Sequence, residues 1–190
     1  MKLLFKILSI GVAFLGASAT GNAQELLTFD DVSPVLYTII TNGYGGLGWN
    51  NFLIQNAQEL APIDNGMVSS PNVALNMLGK PASFSSSSPL TLDSAYFTSA
   101  YDSQDQLTVQ GFAEGTELYN NTYTIYHDSL TLINFDYAGV DSVLFSTSAS
   151  AYFTMDNMMV TVPEPDTCTL MSIAVVLGGL GVLRKKSVIK

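Results

Sequence analysis

An all-β domain, a β-sandwich of the jelly-roll kind, is what the middle of this 190-residue sequence predicts. Three observations carry the prediction. Between residues 24 and 162, short segments rich in Thr, Tyr, Phe and Val recur about every ten residues. Clusters of Gly, Asn, Asp and Ser separate them. No window sustains a helical period over three turns. About ten short strands in one domain suit two packed sheets.

The chain opens "MKLLFKILSIGVAFLGASATGNAQ". Lys2 and Lys6 are basic, Ile7 to Leu15 is apolar, and small residues follow. Ala17-Ser18-Ala19 and Gly21-Asn22-Ala23 are two candidate cleavage sites. This order predicts a secretory signal peptide over 1–23, with signal peptidase cutting after Ala23, because Glu25 to Phe29 then begins a strand.

The body, 24–162, follows. "LIQNAQEL" reads as a turn of helix, and "GKPASFSSSSP" (79–89) as a loop or edge excursion. "LTLDSAYFTSAY", "DQLTVQGFA", "NTYTIYH", "LTLINF", "DSVLFS", "AYFTM" and "NMMVTV" read as strands. In "DQLTVQGFA", Leu107, Val109 and Gly111 alternate with Thr108 and Gln110. The body holds fourteen Asp and Glu against one base, Lys80, a net charge of 1 − 14 = −13. Such a surface repels phosphate backbones and so excludes nucleic acid as a partner, while it attracts divalent cations. Cys168 is the single cysteine, so neither an internal disulfide nor a Cys-ligated zinc site can form.

At the C-terminus, Thr167 to Leu183 is a 17-residue run without charge. As a helix it is about 25 Å long, the short end of a transmembrane span. Arg184, Lys185, Lys186 and Lys190 follow. Basic residues stay on the cytoplasmic side, which puts the body outside, in agreement with the signal peptide.

Pro163-Glu164-Pro165, then Thr167, a glycine-containing apolar span over 167–183 and the basic cluster 184–190 resemble the bacterial PEP-CTERM sorting signal, here 163–190. Asp166 displaces the usual Ser or Thr to Thr167. The resemblance implies recognition by an exosortase, a membrane protease–transpeptidase that cuts near the motif, in bacteria that make exopolysaccharide or biofilm. A plain membrane anchor with a proline linker is the competing reading.

The order of elements resembles carbohydrate-binding-module and galactose-binding-like jelly rolls, in which the first and last strands are neighbours. That adjacency would bring Asp30 and Asp31 of "LTFDD" close to Asp156 of "YFTMDNMMVTV". Three carboxylates suit a structural Ca²⁺; alternatively they cap strand ends and face solvent.

"NGYGGLGWNNF" holds Tyr44 and the only tryptophan, Trp49, among four glycines. Aromatics on such a loop can stack on sugar rings, with Asn42, Asn50 and Asn51 bonding hydroxyls. The competing reading makes Trp49 and Phe52 core residues behind a tight turn. His127, the only histidine, is followed by Asp128, but no G-x-S-x-G supplies a nucleophile, and nothing marks two carboxylates as a glycosidase pair. Asn120-Asn121-Thr122 matches a glycosylation sequon, of little meaning in a bacterium.

Together these features predict an exported, non-enzymatic surface or matrix protein, sorted by an exosortase and associated with exopolysaccharide. A carbohydrate-binding module using Tyr44 and Trp49 is the alternative, and a secreted hydrolase a third.

Overall fold

The computed structural model describes residues 21–33, 36–59, 63–148 and 150–163. Residues 1–20 of the expected signal peptide, Glu164 and Pro165 of the sorting motif, and the apolar and basic segments that follow lie outside the described residues. Among the described residues the fold is all-β, with ten strands joined in one antiparallel network.

The strands are β1 (Asn22–Leu27), β2 (Tyr37–Ile39), β3 (Gly48–Asn50), β4 (Phe52–Asn56), β5 (Asn72–Asn76), β6 (Ala82–Ser99), β7 (Gln104–Ala113), β8 (Thr116–Tyr126), β9 (Thr131–Thr147) and β10 (Phe153–Pro163). The hydrogen-bonded order is β2-β4-β5-β10-β6-β9-β7-β8, with β1 on β10 and β3 on β6. The first and last strands are therefore neighbours, as the sequence led one to expect, with Asn22 opposite Pro163 and Leu27 opposite Met158. A cut after Ala23 would fall inside β1, whereas a cut after Ala19 leaves it whole.

β6 and β9 are long because each serves both layers of the sandwich. The N-terminal part of β6 and the C-terminal part of β9 pair at Ser85–Ser142, and β9 continues onto β7. Their other halves pair from Leu90–Val140 onward, and β6 continues onto β10. Between these registers β6 carries Ser86, Ser87, Ser88 and Pro89 against Asp141 alone. Pro89 has no N–H for the ladder, and the extra residues let the strand bend. The predicted loop at 79–89 is thus corrected: Ala82 to Pro89 belong to β6, whose pairing with β9 first breaks register at the Ser-Pro step and again near Leu90 and Leu92. Of "LIQNAQEL", where a helical turn was expected, Leu53 to Asn56 belong to β4, whose Phe52 and Ile54 point inward at alternate positions, and Ala57 to Glu59 form a turn.

The layers meet through aromatic side chains. Phe145 on β9 lies 5.9–6.2 Å from Phe52, Phe97 and Phe153, centroid to centroid. All four are buried, and edge-on or tilted ring pairs of this kind add about 0.5–1.5 kcal/mol each beyond area burial. The core faces of β7, Leu107 and Val109, pack into the same cluster.

The outward face of the β8–β7–β9 layer has the opposite character. In-register rows run Gln106–Thr124, Ser146–Thr108–Thr122 and Leu144–Gln110–Asn120. None of these side chains is buried, and none is charged.

Candidate functional site

The glycine-rich turn 42–49 is built around Trp49. Gly43, Gly45 and Gly46 take positive φ values of 100°, 55° and 67°, a region closed to most side chains. The chain can therefore reverse tightly enough for the Trp49 indole N–H to donate to the Tyr44 carbonyl at 2.9 Å. The Asn42 Oδ1 accepts the Trp49 backbone N–H at 2.7 Å. Trp49 is 7% exposed and packs on Phe29, Phe52 and Phe84. Its assignment as a sugar-stacking residue is corrected: on β3 its side chain points between the layers, and no ring face is open. Phe52 is also core. Asn51 donates to the carbonyls of Met77 and Pro81, so its amide is committed as well, while Asn50 is exposed.

Tyr44 is half-buried, its ring stacked on Phe29 at 5.7 Å. Its hydroxyl accepts the Phe29 backbone N–H at 3.0 Å and donates to Asp31 Oδ1 at 2.9 Å. Burial foremost, then the hydrogen bond and charge of Asp31, push the phenol well above its ordinary pKa, so it stays a donor at any physiological pH. One edge of Tyr44 lines an open cleft of about 380 Å³ between β1 and the turn. Glu25, Leu26, Thr28, Asp31 and the backbone of Gly43 and Gly45 complete the wall. Glu25 lies in the strand read as the first segment after the signal peptide, and no local motif marked it as a site residue.

The three aspartates separate into two environments. Asp31 turns to Tyr44. Asp30 Oδ1 accepts the Asn72 backbone N–H at 2.9 Å. Asp156 is fully buried and accepts from the Val68 and Ser69 backbone N–H groups at 2.6 and 2.9 Å, the Ser69 hydroxyl, and the Asn157 N–H. The Ser69 hydroxyl has one proton and is also 2.8 Å from the Asn157 Oδ1, so the three backbone N–H groups are the fixed donors to this carboxylate. Burial outweighs the donors and, with the neighbouring charge of Asp30, raises its pKa to about 6. Among the described residues no three His, Cys, Asp or Glu side chains form a metal-binding group. Of the expected calcium ligands, Asp30 is a neighbouring charge to Asp156, Asp31 is turned to Tyr44, and Asp156 also anchors the loop at 68–69 to the last strand. Asn72, buried beside Asp30, donates to the Phe29 and Val32 carbonyls, and its own Oδ1 has no hydrogen-bond partner.

His127 sits at the end of β8, where its Nδ1 is 3.1 Å from the Ser99 carbonyl. A carbonyl only accepts, so the Nδ1 carries the proton and the ring ties β8 to the end of β6. Asp128 is exposed beside it.

No protein-family model and no curated protein matches the sequence. Several solved structures are similar in shape. The CBM22-1–CBM22-2 tandem domain from Paenibacillus barcinonensis Xyn10C superposes with a TM-score of 0.46 at 13% identity, over 78% of this chain and 48% of that one. This chain thus spans about half the length of the tandem. The CBM22-1 xylan-binding domain of the same enzyme gives 0.43 at 14% identity, over 79% of this chain and 100% of its own. TmCBM61, solved with β-1,4-galactotriose, gives 0.35 at 7% identity, over 62% and 87%.

Proposed function

We propose that this chain is an exported, non-catalytic carbohydrate-binding protein that holds a neutral oligosaccharide in the cleft between β1 and the glycine-rich turn. The lining of that cleft carries the reading. Glu25 and Asp31 supply carboxylate acceptors, Thr28 a hydroxyl, and Gly43 and Gly45 bare backbone, beside the rim of an aromatic ring. Sugar hydroxyls are donors that suit carboxylates, and small polar groups fix orientation in a concave site. Trp49 supports this site from behind by holding the Tyr44 carbonyl.

A glycan array probed with the full-length chain in mild detergent tests the reading, followed by calorimetry on any neutral glycan bound. Asp31→Asn and Glu25→Gln should each weaken binding by about tenfold, the worth of one charge-assisted hydrogen bond. Unchanged affinity in both variants, or no neutral glycan bound at all, would refute it.

Delivery follows the tail. An exosortase would recognise Pro163-Glu164-Pro165 and release the body to an exopolysaccharide matrix. Its support is the motif with its apolar run and basic cluster, and a cut beyond Pro165 removes no described residue of β10. Mass spectrometry of the mature C-terminus decides: a chain ending near Pro165 supports sorting, and an intact Lys190 means a plain anchor.

A further inference from the structure

We infer that the outward face of the β8–β7–β9 layer is a second binding surface, fitted to the ordered surface of an assembled neutral polysaccharide. The inference rests on the carbohydrate reading and extends it from a single chain in the cleft to a packed polymer. Three observations carry it.

First, the three central rows are uncharged, and the one acid that reaches them is Glu117, which accepts from the Gln110 and Asn120 amides. Gln106, Thr108, Gln110, Thr122, Thr124 and Ser146 point outward in register and carry only hydroxyls and amides. The face carries no Lys or Arg for an anionic polymer. Its aromatic residues, Tyr126 in line with Thr124 and Phe112 in line with Gln110, stand at opposite ends of the layer and form no cluster of the anchors that a protein partner needs. Leu144 is its single large aliphatic residue in these rows.

Second, its groups both donate and accept, which is the hydrogen-bonding character of sugar hydroxyls. Neighbouring strands set these groups about 4.8 Å apart, and alternate residues along a strand about 6.8 Å apart, a flat two-dimensional grid. A grid presents many weak contacts to a flat ordered surface and few to one flexible chain.

Third, the side chains are already held. The Gln106 amide donates to the Thr124 hydroxyl at 3.0 Å, and the Thr108 and Thr122 hydroxyls share a bond of 2.9 Å. The Gln110 amide is fixed by Glu117 at the rim. Fixed rotamers lose less entropy on binding, so the surface is preorganised.

Co-sedimentation of the full-length chain in mild detergent with microcrystalline cellulose tests this, with calcium alginate gel as the acidic counterpart. The chain is expected in the cellulose pellet and not with alginate. Thr108→Val with Thr122→Val keeps strand propensity and shape while removing two hydroxyls, and should weaken the apparent affinity about tenfold, the worth of two neutral hydrogen bonds. Saturating soluble neutral oligosaccharide, which occupies the cleft, should not release the chain from cellulose, so failure of the cleft and failure of this face are separable. The inference falls if the chain stays in the supernatant, if the double variant binds as wild type with an unaltered melting curve, or if the double variant instead turns a dimer into a monomer in sedimentation velocity. A second double variant, Gln106→Ala with Thr124→Ala, repeats the test should the first fail to fold.

Discussion

Trp49 donates its indole N–H to the carbonyl of Tyr44, five residues earlier, and so closes the glycine-rich turn over its own core. One bond thereby links the strand that fills the sandwich to the residue that lines the cleft. Trp49→Ala should cost roughly 3–5 kcal/mol, the range for large aromatic truncations in a core. Trp49→Phe, which keeps most of the packing and loses the donor, should cost roughly 1–2 kcal/mol. Urea denaturation measures both. A near-neutral Trp49→Ala would mean that the ring is a surface residue after all.

Two glycines with similar backbone angles offer a controlled comparison. Gly79 has φ 65° and Gly115 has φ 77°. A Cβ at Gly115 would meet nothing within 4 Å, whereas one at Gly79 would overlap the backbone carbonyl of Ser150. Gly115→Ala therefore carries only the cost of left-handed backbone, about 1–2 kcal/mol. Gly79→Ala must also move the 150–151 segment, and is expected to cost more than about 3 kcal/mol or to prevent folding. Equal melting temperatures for the two variants would contradict the close approach.

The strand content was legible because alternation and β-branched composition act locally, residue by residue, whereas the neighbourhood of the first and last strands came only from the resemblance to jelly rolls. The Ser-Pro stretch was misread for a related reason. Serines and a proline have turn chemistry, but Ala82 and Phe84 alternate inward within it and pair with Phe145 and Val143 sixty residues on, a partner that local composition does not reveal. The site suffered similarly. An aromatic among glycines looks exposed until the partners on β4 and β6 that bury Trp49 are known. The committed amides of Asn51, Asn72 and Asn76 were invisible, since each bonds carbonyls in segments distant in sequence.

Calcium discriminates between two accounts of the aspartates. The ion takes six to eight oxygen ligands, and here Asp31 is engaged by Tyr44 while Asp156 is held by three backbone N–H groups. Neither EDTA nor millimolar CaCl₂ should then move the melting temperature by more than about one degree. A larger rise with calcium, abolished by Asp30→Asn, would instead assign a cation to Asp30 and the unpartnered Asn72 Oδ1.

Asp156 sets a pH dependence whose sign is opposite to that of an ordinary surface carboxylate. Its pKa rises from 3.8 to about 6 on folding, chiefly through burial, with Asp30 the facing charge. Between those values the folded chain holds a proton that the unfolded chain has lost. The contribution is fully present below about pH 4 and is lost as pH rises through about 6, amounting to at most about 3 kcal/mol. Repulsion within the acidic body works in the same direction, so the wild-type slope alone does not isolate Asp156. Asp156→Asn does. It should cost roughly 1–3 kcal/mol near pH 4, because an amide presents fewer acceptors to the Val68, Ser69 and Asn157 N–H groups, and progressively less towards pH 7. It should also flatten the part of the profile between pH 4 and 6 that Asp156 contributes. Urea denaturation at pH 4, 5, 6 and 7 reads both effects, and an unaltered slope in the variant would show that the carboxylate does not titrate in that window.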